Sequence, residues 1–123
     1  MRTRPMATLL VLLLGACANP QREKLDRGMV FARRQFIDAT RNPMAALALG
    51  SNIESGGTLA TYLAASMPEN ADLPPFQDGR PAEPWSVALR AVGTDTILIE
   101  GFGDALEHPL TVDTVVMRPS HRP

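Results

Sequence analysis

The side chains best suited to chemistry in this sequence lie close together: Asp104, Glu107, His108 and Asp113. One imidazole and three carboxylates could hold a divalent cation, and the same groups could transfer protons. Their spacing matches no established metal motif, and a histidine directly before a proline is typical of a solvated loop. We therefore interpret this stretch as a surface turn. The alternative is a small metal-dependent hydrolase or ligand-binding module that uses the loop with Asp104, Glu107 and His108.

A serine nucleophile would be the other route to hydrolysis. The candidate serines are Ser51, Ser55, Ser66 and Ser86. None of them lies in the Gly-x-Ser-x-Gly elbow that exposes a serine nucleophile in hydrolases. The sequence therefore predicts a protein that is not an enzyme, and it indicates no cofactor.

Cys17 is the only cysteine of the chain. It follows an apolar run at positions 6–14, which Arg2 and Arg4 precede. A short positive segment and an apolar run of this length are typical of a secretory leader, and fall short of the roughly 20 residues that cross a bilayer. One large apolar residue and two small residues stand directly before the cysteine, in the stretch Leu14-Gly15-Ala16-Cys17.

These residues resemble the lipobox of bacterial lipoproteins, and the resemblance covers residues 1–17 only. It implies that the leader is removed before Cys17, whose sulfur takes a diacylglyceryl group. A further chain such as palmitate is commonly added to its amine. Two acyl chains suffice for stable anchoring, since each buried methylene contributes about 0.8 kcal/mol. Ala18, where an Asp would favour retention in the inner membrane of a Gram-negative cell, predicts an outer-membrane protein that faces the periplasm.

Charge separates the two ends of the mature chain. Without the leader, ten basic residues remain against thirteen acidic ones. The basic residues gather at positions 18–41, and acidic residues dominate from position 42 onward. Nucleic-acid-binding proteins show a strong basic excess, so we expect no nucleic acid partner. The expected partners are the lipid bilayer, through acylated Cys17, and a protein of the cell envelope.

Local patterns predict a first helix that starts at Asn19-Pro20 and ends near Thr40. Its apolar residues follow the spacing of one helical face: Leu25, Met29, Ala32 and Phe36. Gly28 weakens this helix by roughly 1 kcal/mol relative to Ala. Two shorter helices are predicted, from Pro43 to a stop at Gly50 and from Thr58 to Ser66.

The last third of the chain is strand-like. Alternating residues from Trp85 to Ala91 and a turn at Gly93 predict a hairpin, and a third strand follows at 110–117. The expected fold class is α+β, an N-terminal amphipathic helix and short helices packed on a three-stranded antiparallel β-meander. The predicted organisation is one domain (18–117) made of a helical region (18–66), a proline-rich connector (67–84) and a sheet (85–117), followed by a tail (118–123).

The leading functional hypothesis is a non-enzymatic, membrane-anchored lipoprotein that takes part in cell-envelope interaction or assembly. Trp85 and Phe102 are candidate contacts for a protein partner. The free edge of the sheet is a third candidate, because exposed edges recruit further strands.

Overall fold

The computed structural model describes residues 19–117. The helices are α1 (Pro20–Arg41), α2 (Pro43–Glu54) and α3 (Leu59–Ser66). The strands are β1 (Phe76–Asp78), β2 (Ser86–Val92), β3 (Thr96–Phe102) and β4 (Thr111–Val116). The fold class is α+β, as predicted. The leader with Cys17 and the tail at 118–123 lie outside the described residues, so the lipobox assignment stays a prediction.

The stripe of α1 that the sequence predicts forms one side of the core. The Asn19 side chain begins the helix by accepting hydrogen bonds from the backbone N–H groups of Gln21 and Arg22. The four residues of the stripe are buried: Leu25, Met29, Ala32 and Phe36. They pack against the buried apolar side chains of the sheet and of α3: Val87, Leu89, Ile97, Ile99, Val115, Tyr62 and Leu63.

Asn42 ends α1 and begins α2. Its backbone is extended (φ −105°, ψ 116°), as expected before Pro43. Its side-chain oxygen accepts from the N–H of Met44 at 2.9 Å, so one residue separates and caps the two helices. The predicted stop at Gly50 is wrong, because α2 continues to Glu54. A glycine weakens a helix interior by about 1 kcal/mol but does not by itself reverse the chain.

Helix α2 packs less closely than the sequence predicts. It contacts α1 and α3, and among the described elements it contacts no strand. None of its residues is buried. The expectation that all helices lie on the sheet therefore holds for α1 and α3 only.

The sheet has four strands in the order β1-β2-β3-β4, where three antiparallel strands were expected. β2, β3 and β4 pair antiparallel, and β1 pairs parallel to β2, with Phe76 opposite Val87. The additional strand lies inside the proline-rich connector, which was expected to be a loop. None of the connector's prolines lies within this strand, and the carbonyl of Pro75, directly before it, accepts from the N–H of Val87 at 2.9 Å. A proline can join a sheet edge in this way because it needs only an acceptor there.

Residues 79–85 carry the chain back along the sheet between the two parallel strands. Gly79 begins this return with φ 80°, and Trp85 ends it with φ 56°. A left-handed backbone is unusual for tryptophan. The Trp85 N–H donates to the Gly103 carbonyl at 3.1 Å, and the Trp85 indole N–H donates to Asp104 at 3.1 Å. These contacts hold the turn.

The first half of β2 is buried on both faces, whereas the sequence pattern predicts a half-buried strand. Ser86 and Ala88 were expected to face solvent, but their exposed fractions are 0% and 1%. The Ser86 hydroxyl donates to the Glu83 carbonyl at 2.7 Å. The return at 79–85 and the loop after β3 cover this second face. The inward-facing and outward-facing residues in the first half of β2 are therefore both buried.

Candidate functional site

The four residues of the alternative metal site, Asp104, Glu107, His108 and Asp113, do not come together. Asp113 lies on β4 on the α1 side of the sheet, where its carboxylate pairs with the Arg33 guanidinium at 3.0 Å. Asp104 accepts from the Trp85 indole instead of facing His108. Across residues 19–117, no group of three or more His, Cys, Asp or Glu side chains is arranged to hold a metal ion. The geometry that the metal-dependent alternative requires is not formed.

Glu107 lines a polar cleft on the side of the sheet opposite α1. The cleft has a volume of about 380 Å³, and Phe102 lies at its floor. Its charged residues come from four separate segments: Arg80, Arg90, Glu100 and Glu107. Arg90 Nε lies 3.7 Å from Glu100 Oε1. Two guanidinium groups and two carboxylates beside an aromatic floor could bind a small charged ligand. The sequence analysis did not include Arg80 and Arg90 among the site residues, because the connector and β2 are distant in sequence from the loop that carries Glu107.

Trp85 and Phe102 were predicted to contact a protein partner, but neither side chain is freely exposed to one. Phe102 is only 4% exposed, so its side chain is part of the interior. Trp85 is half-buried against the core, and its indole N–H is already bonded to Asp104. Both aromatic side chains stabilise the return and the loop after β3.

β4 is the longer of the two edge strands of the sheet, and side chains block its centre. The backbone N–H of Thr114 donates to Asp113 Oδ1 at 2.8 Å. The Thr114 carbonyl accepts from Arg33 Nη1 at 3.3 Å, and the same nitrogen donates to Asp113 at 3.0 Å. We call Arg33 and Asp113 the β4 clasp. An added strand would need these backbone groups of Thr114, and charged side chains at an edge are a known protection against strand addition.

The basic residues next to the predicted anchor are paired with acids. Arg22 Nε lies 3.2 Å from Asp26, and both Lys24 and Arg27 approach Asp72, at 3.4 and 3.1 Å. Such exposed pairs contribute only about 0–1 kcal/mol each to stability. They do balance the local charge, so these three cations form no free basic surface.

The most exposed apolar surface of the described residues belongs to α2. Met44 is 73% exposed and Leu47 is 68% exposed. With the exposed residues Ala48 and Ser51 they occupy spacings of three, four and seven, which form one helical face. We call these four residues the α2 face. Large exposed apolar patches on folded proteins commonly mark interaction sites.

A groove of about 800 Å³ runs beside the α2 face. Ala46, Leu49 and Gly50 form its α2 wall, and Met117 at the end of β4 closes the opposite wall. The sequence holds a signal for this surface, since no charged residue stands between Arg41 and Glu54. The composition of the segment does not show which of its apolar residues a neighbouring element covers.

None of the helices within residues 19–117 combines the length and hydrophobicity needed to cross a membrane. No protein-family model matches the chain, and searches of curated proteins and of solved structures found no match.

Proposed function

We propose that this protein is a non-enzymatic lipoprotein of the bacterial cell envelope, anchored by an acylated Cys17 to the outer membrane and facing the periplasm. Its folded domain makes protein contacts through the α2 face. The observation that carries this proposal is a helix of 12 residues without one buried residue, in which Leu49 is partly buried against the core while Met44 and Leu47 are mostly exposed. Burying such side chains contributes about 1.5–3 kcal/mol each.

The position of α1 supports a tethered arrangement. Asn19 caps this helix only two residues after Cys17, so a lipid there attaches close to a rigid element. A helix of 22 residues is about 33 Å long. α2 begins where α1 ends. In an anchored molecule, the length of α1 would therefore separate the α2 face from the lipid.

The anchor is tested by mass spectrometry of the mature N-terminal peptide from membranes of a Gram-negative host. We expect a chain that starts at Cys17 and carries acyl groups. A Cys17→Ala variant should remain unprocessed, because the acceptor sulfur is missing. A free thiol on Cys17, or a mature start elsewhere, would contradict the anchor.

The contact surface is tested by affinity capture from crosslinked envelopes. Leu47→Glu should abolish capture of the partner, since it puts a carboxylate in the centre of the α2 face without touching the core. Thr94→Glu is the matched control, an exposed position in the turn between β2 and β3. Equal capture by both variants would show that the α2 face is not the contact surface.

The polar cleft favours a second function, the binding of a small charged ligand by the domain. Thermal unfolding in the presence of divalent cations and of small dicarboxylates separates the possibilities. Stabilisation by a dicarboxylate that is lost in Arg80→Ala would support the cleft. Stabilisation by a cation that is lost in His108→Ala would instead support the metal-dependent alternative.

A further inference from the structure

The α2 face is complementary to a copy of itself in one orientation. We propose that two copies of this protein associate through their α2 faces, with the two helices antiparallel about a two-fold axis. This inference deepens the proposed function and rests on it, because it names a second copy of the chain as the partner of that surface.

The charges at the two ends of α2 select the antiparallel orientation. Arg41, the last residue of α1, lies two positions before the start of α2, and Glu54 is the last residue of α2, with no charged residue between them. Neither side chain makes an ion pair within residues 19–117. An antiparallel copy brings Arg41 of each protomer to Glu54 of the other, whereas a parallel copy would bring like charges together.

The helix dipole favours the same orientation. Glu54 lies at the negative C-terminal end of its own helix, where a carboxylate is unfavourable. In the antiparallel pair it would face the positive N-terminal end of the partner helix. An isologous contact repeats each favourable interaction twice.

The side chains between the charges fit a close helix pair. The two-fold axis would pass between Leu47 and Ala48, the midpoint of Arg41 and Glu54. Leu47 would then pack over the small Ala48 of the other copy, and the long side chain of Met44 over the small Ser51. Alternation of large and small residues lets two helices approach closely.

Other occupants fit less well. Helices that lie in a bilayer interface carry lysine or arginine along their polar side, whereas α2 has none between Arg41 and its acidic end at Glu54. The tail of the same chain has the sequence Arg118-Pro119-Ser120-His121-Arg122-Pro123. It offers no large apolar side chain for the α2 face, and its two arginines carry the same charge as Arg41, which lines the groove.

The expected contact is small. A helix of 12 residues is about 18 Å long, and two such helices bury less than the roughly 1,200 Å² of a stable interface. Association in dilute solution should therefore be weak. Anchoring in one membrane confines the copies and raises their effective concentration, which makes a weak contact sufficient.

The test is a cysteine crosslink in the full-length protein in native membranes. Ala48→Cys should give a dimer with a short thiol crosslinker, because the two cysteines would flank the axis. Thr94→Cys, on the turn between β2 and β3, is the matched control and should give none. The unsubstituted protein reports on Cys17, whose sulfur cannot react once it is acylated.

Charge reversal identifies the geometry. In the Ala48→Cys background, Glu54→Arg should lower the crosslink yield about tenfold, because two like-charge contacts form per dimer. Adding Arg41→Glu should restore it. Equal yields from Ala48→Cys and Thr94→Cys, or no recovery in the double reversal, would overturn the antiparallel pair. An unlipidated Cys17 with a specific Ala48→Cys dimer would overturn the anchor and leave the pair intact.

Discussion

At the scale of single residues, the packing of Gly28 decides what a substitution there does. An added Cβ would lie 2.5 Å from Cγ of Pro74, a fully buried proline of the connector. Gly50, in α2, has no atom within 4 Å of the same position. Both glycines lie inside a helix of the structure, but Gly28 is in close contact with Pro74, whereas Gly50 has free space around it.

Gly28→Ala and Gly50→Ala should therefore act in opposite directions. Gly28→Ala should destabilise the fold by about 1–2 kcal/mol, because overpacking outweighs the gain in helix propensity. Gly50→Ala should stabilise it by about 0.5–1 kcal/mol, since alanine restricts the unfolded chain and meets nothing. Urea unfolding measures both, and a gain from Gly28→Ala would mean that Pro74 moves aside without cost.

Tyr62 provides a pH dependence at alkaline pH. Burial raises the pKa of its hydroxyl above the ordinary value of 10.0, and the charge of Asp38 raises it further. The unfolded chain therefore loses this proton first, so the contribution to stability is complete below about pH 10 and is lost as the pH rises through the folded pKa. Absorbance titration of this single tyrosine should give a pKa above that of a free tyrosine. Tyr62→Phe should remove the corresponding part of the alkaline loss, and an unshifted titration would contradict the burial.

At the scale of elements, β4 depends on a helix for its protection. Val112 and Val116 are about half exposed on this strand, at 54% and 48%, and would favour pairing with another strand. The β4 clasp places Arg33 of α1 over the backbone of Thr114 and so opposes that pairing. The sequence shows the edge strand but not the clasp, because Arg33 and Asp113 are 80 positions apart.

Arg33→Ala should open this edge. We expect a loss of less than about 1 kcal/mol in stability, because the pair is half exposed. We also expect faster hydrogen exchange at the Thr114 amide and faster self-association in light scattering. Arg22→Ala, which removes the exposed pair with Asp26, is the control and should leave both unchanged. Equal behaviour of the two variants would show that the clasp does not protect β4.

At the scale of the whole molecule, the buried core and the proposed contact surface belong to different helices, and only Leu49 of α2 packs partly against the core. Buried side chains of α1, α3 and the sheet form one core, and α2 contributes none of them. This separation lets α2 change its outward residues with little effect on folding. Such an arrangement is expected of a helix that binds a partner and contributes little to the stability of the fold.

Leu47→Ala and Leu63→Ala test this separation. Leu63 is fully buried, at 0% exposed, so its truncation should cost about 2–5 kcal/mol. Leu47→Ala should change the free energy of unfolding of the monomer by no more than about 0.5 kcal/mol, since the side chain already contacts water. Thermal or urea unfolding at low protein concentration measures both. A large loss from Leu47→Ala would mean that the α2 face belongs to the core.

The sequence by itself determined the features that depend on near neighbours in the chain. The stripe of α1, the cap at Asn19, the hairpin and the α+β class follow from spacings of two, three and four residues, which local geometry fixes. Tertiary structure alone decided which surfaces are covered. It paired Asp113 with Arg33 instead of His108, buried Phe102, added β1 from the proline-rich connector and left the α2 face open. Those outcomes depend on residues distant in the chain, and a local pattern carries no information about what packs against it.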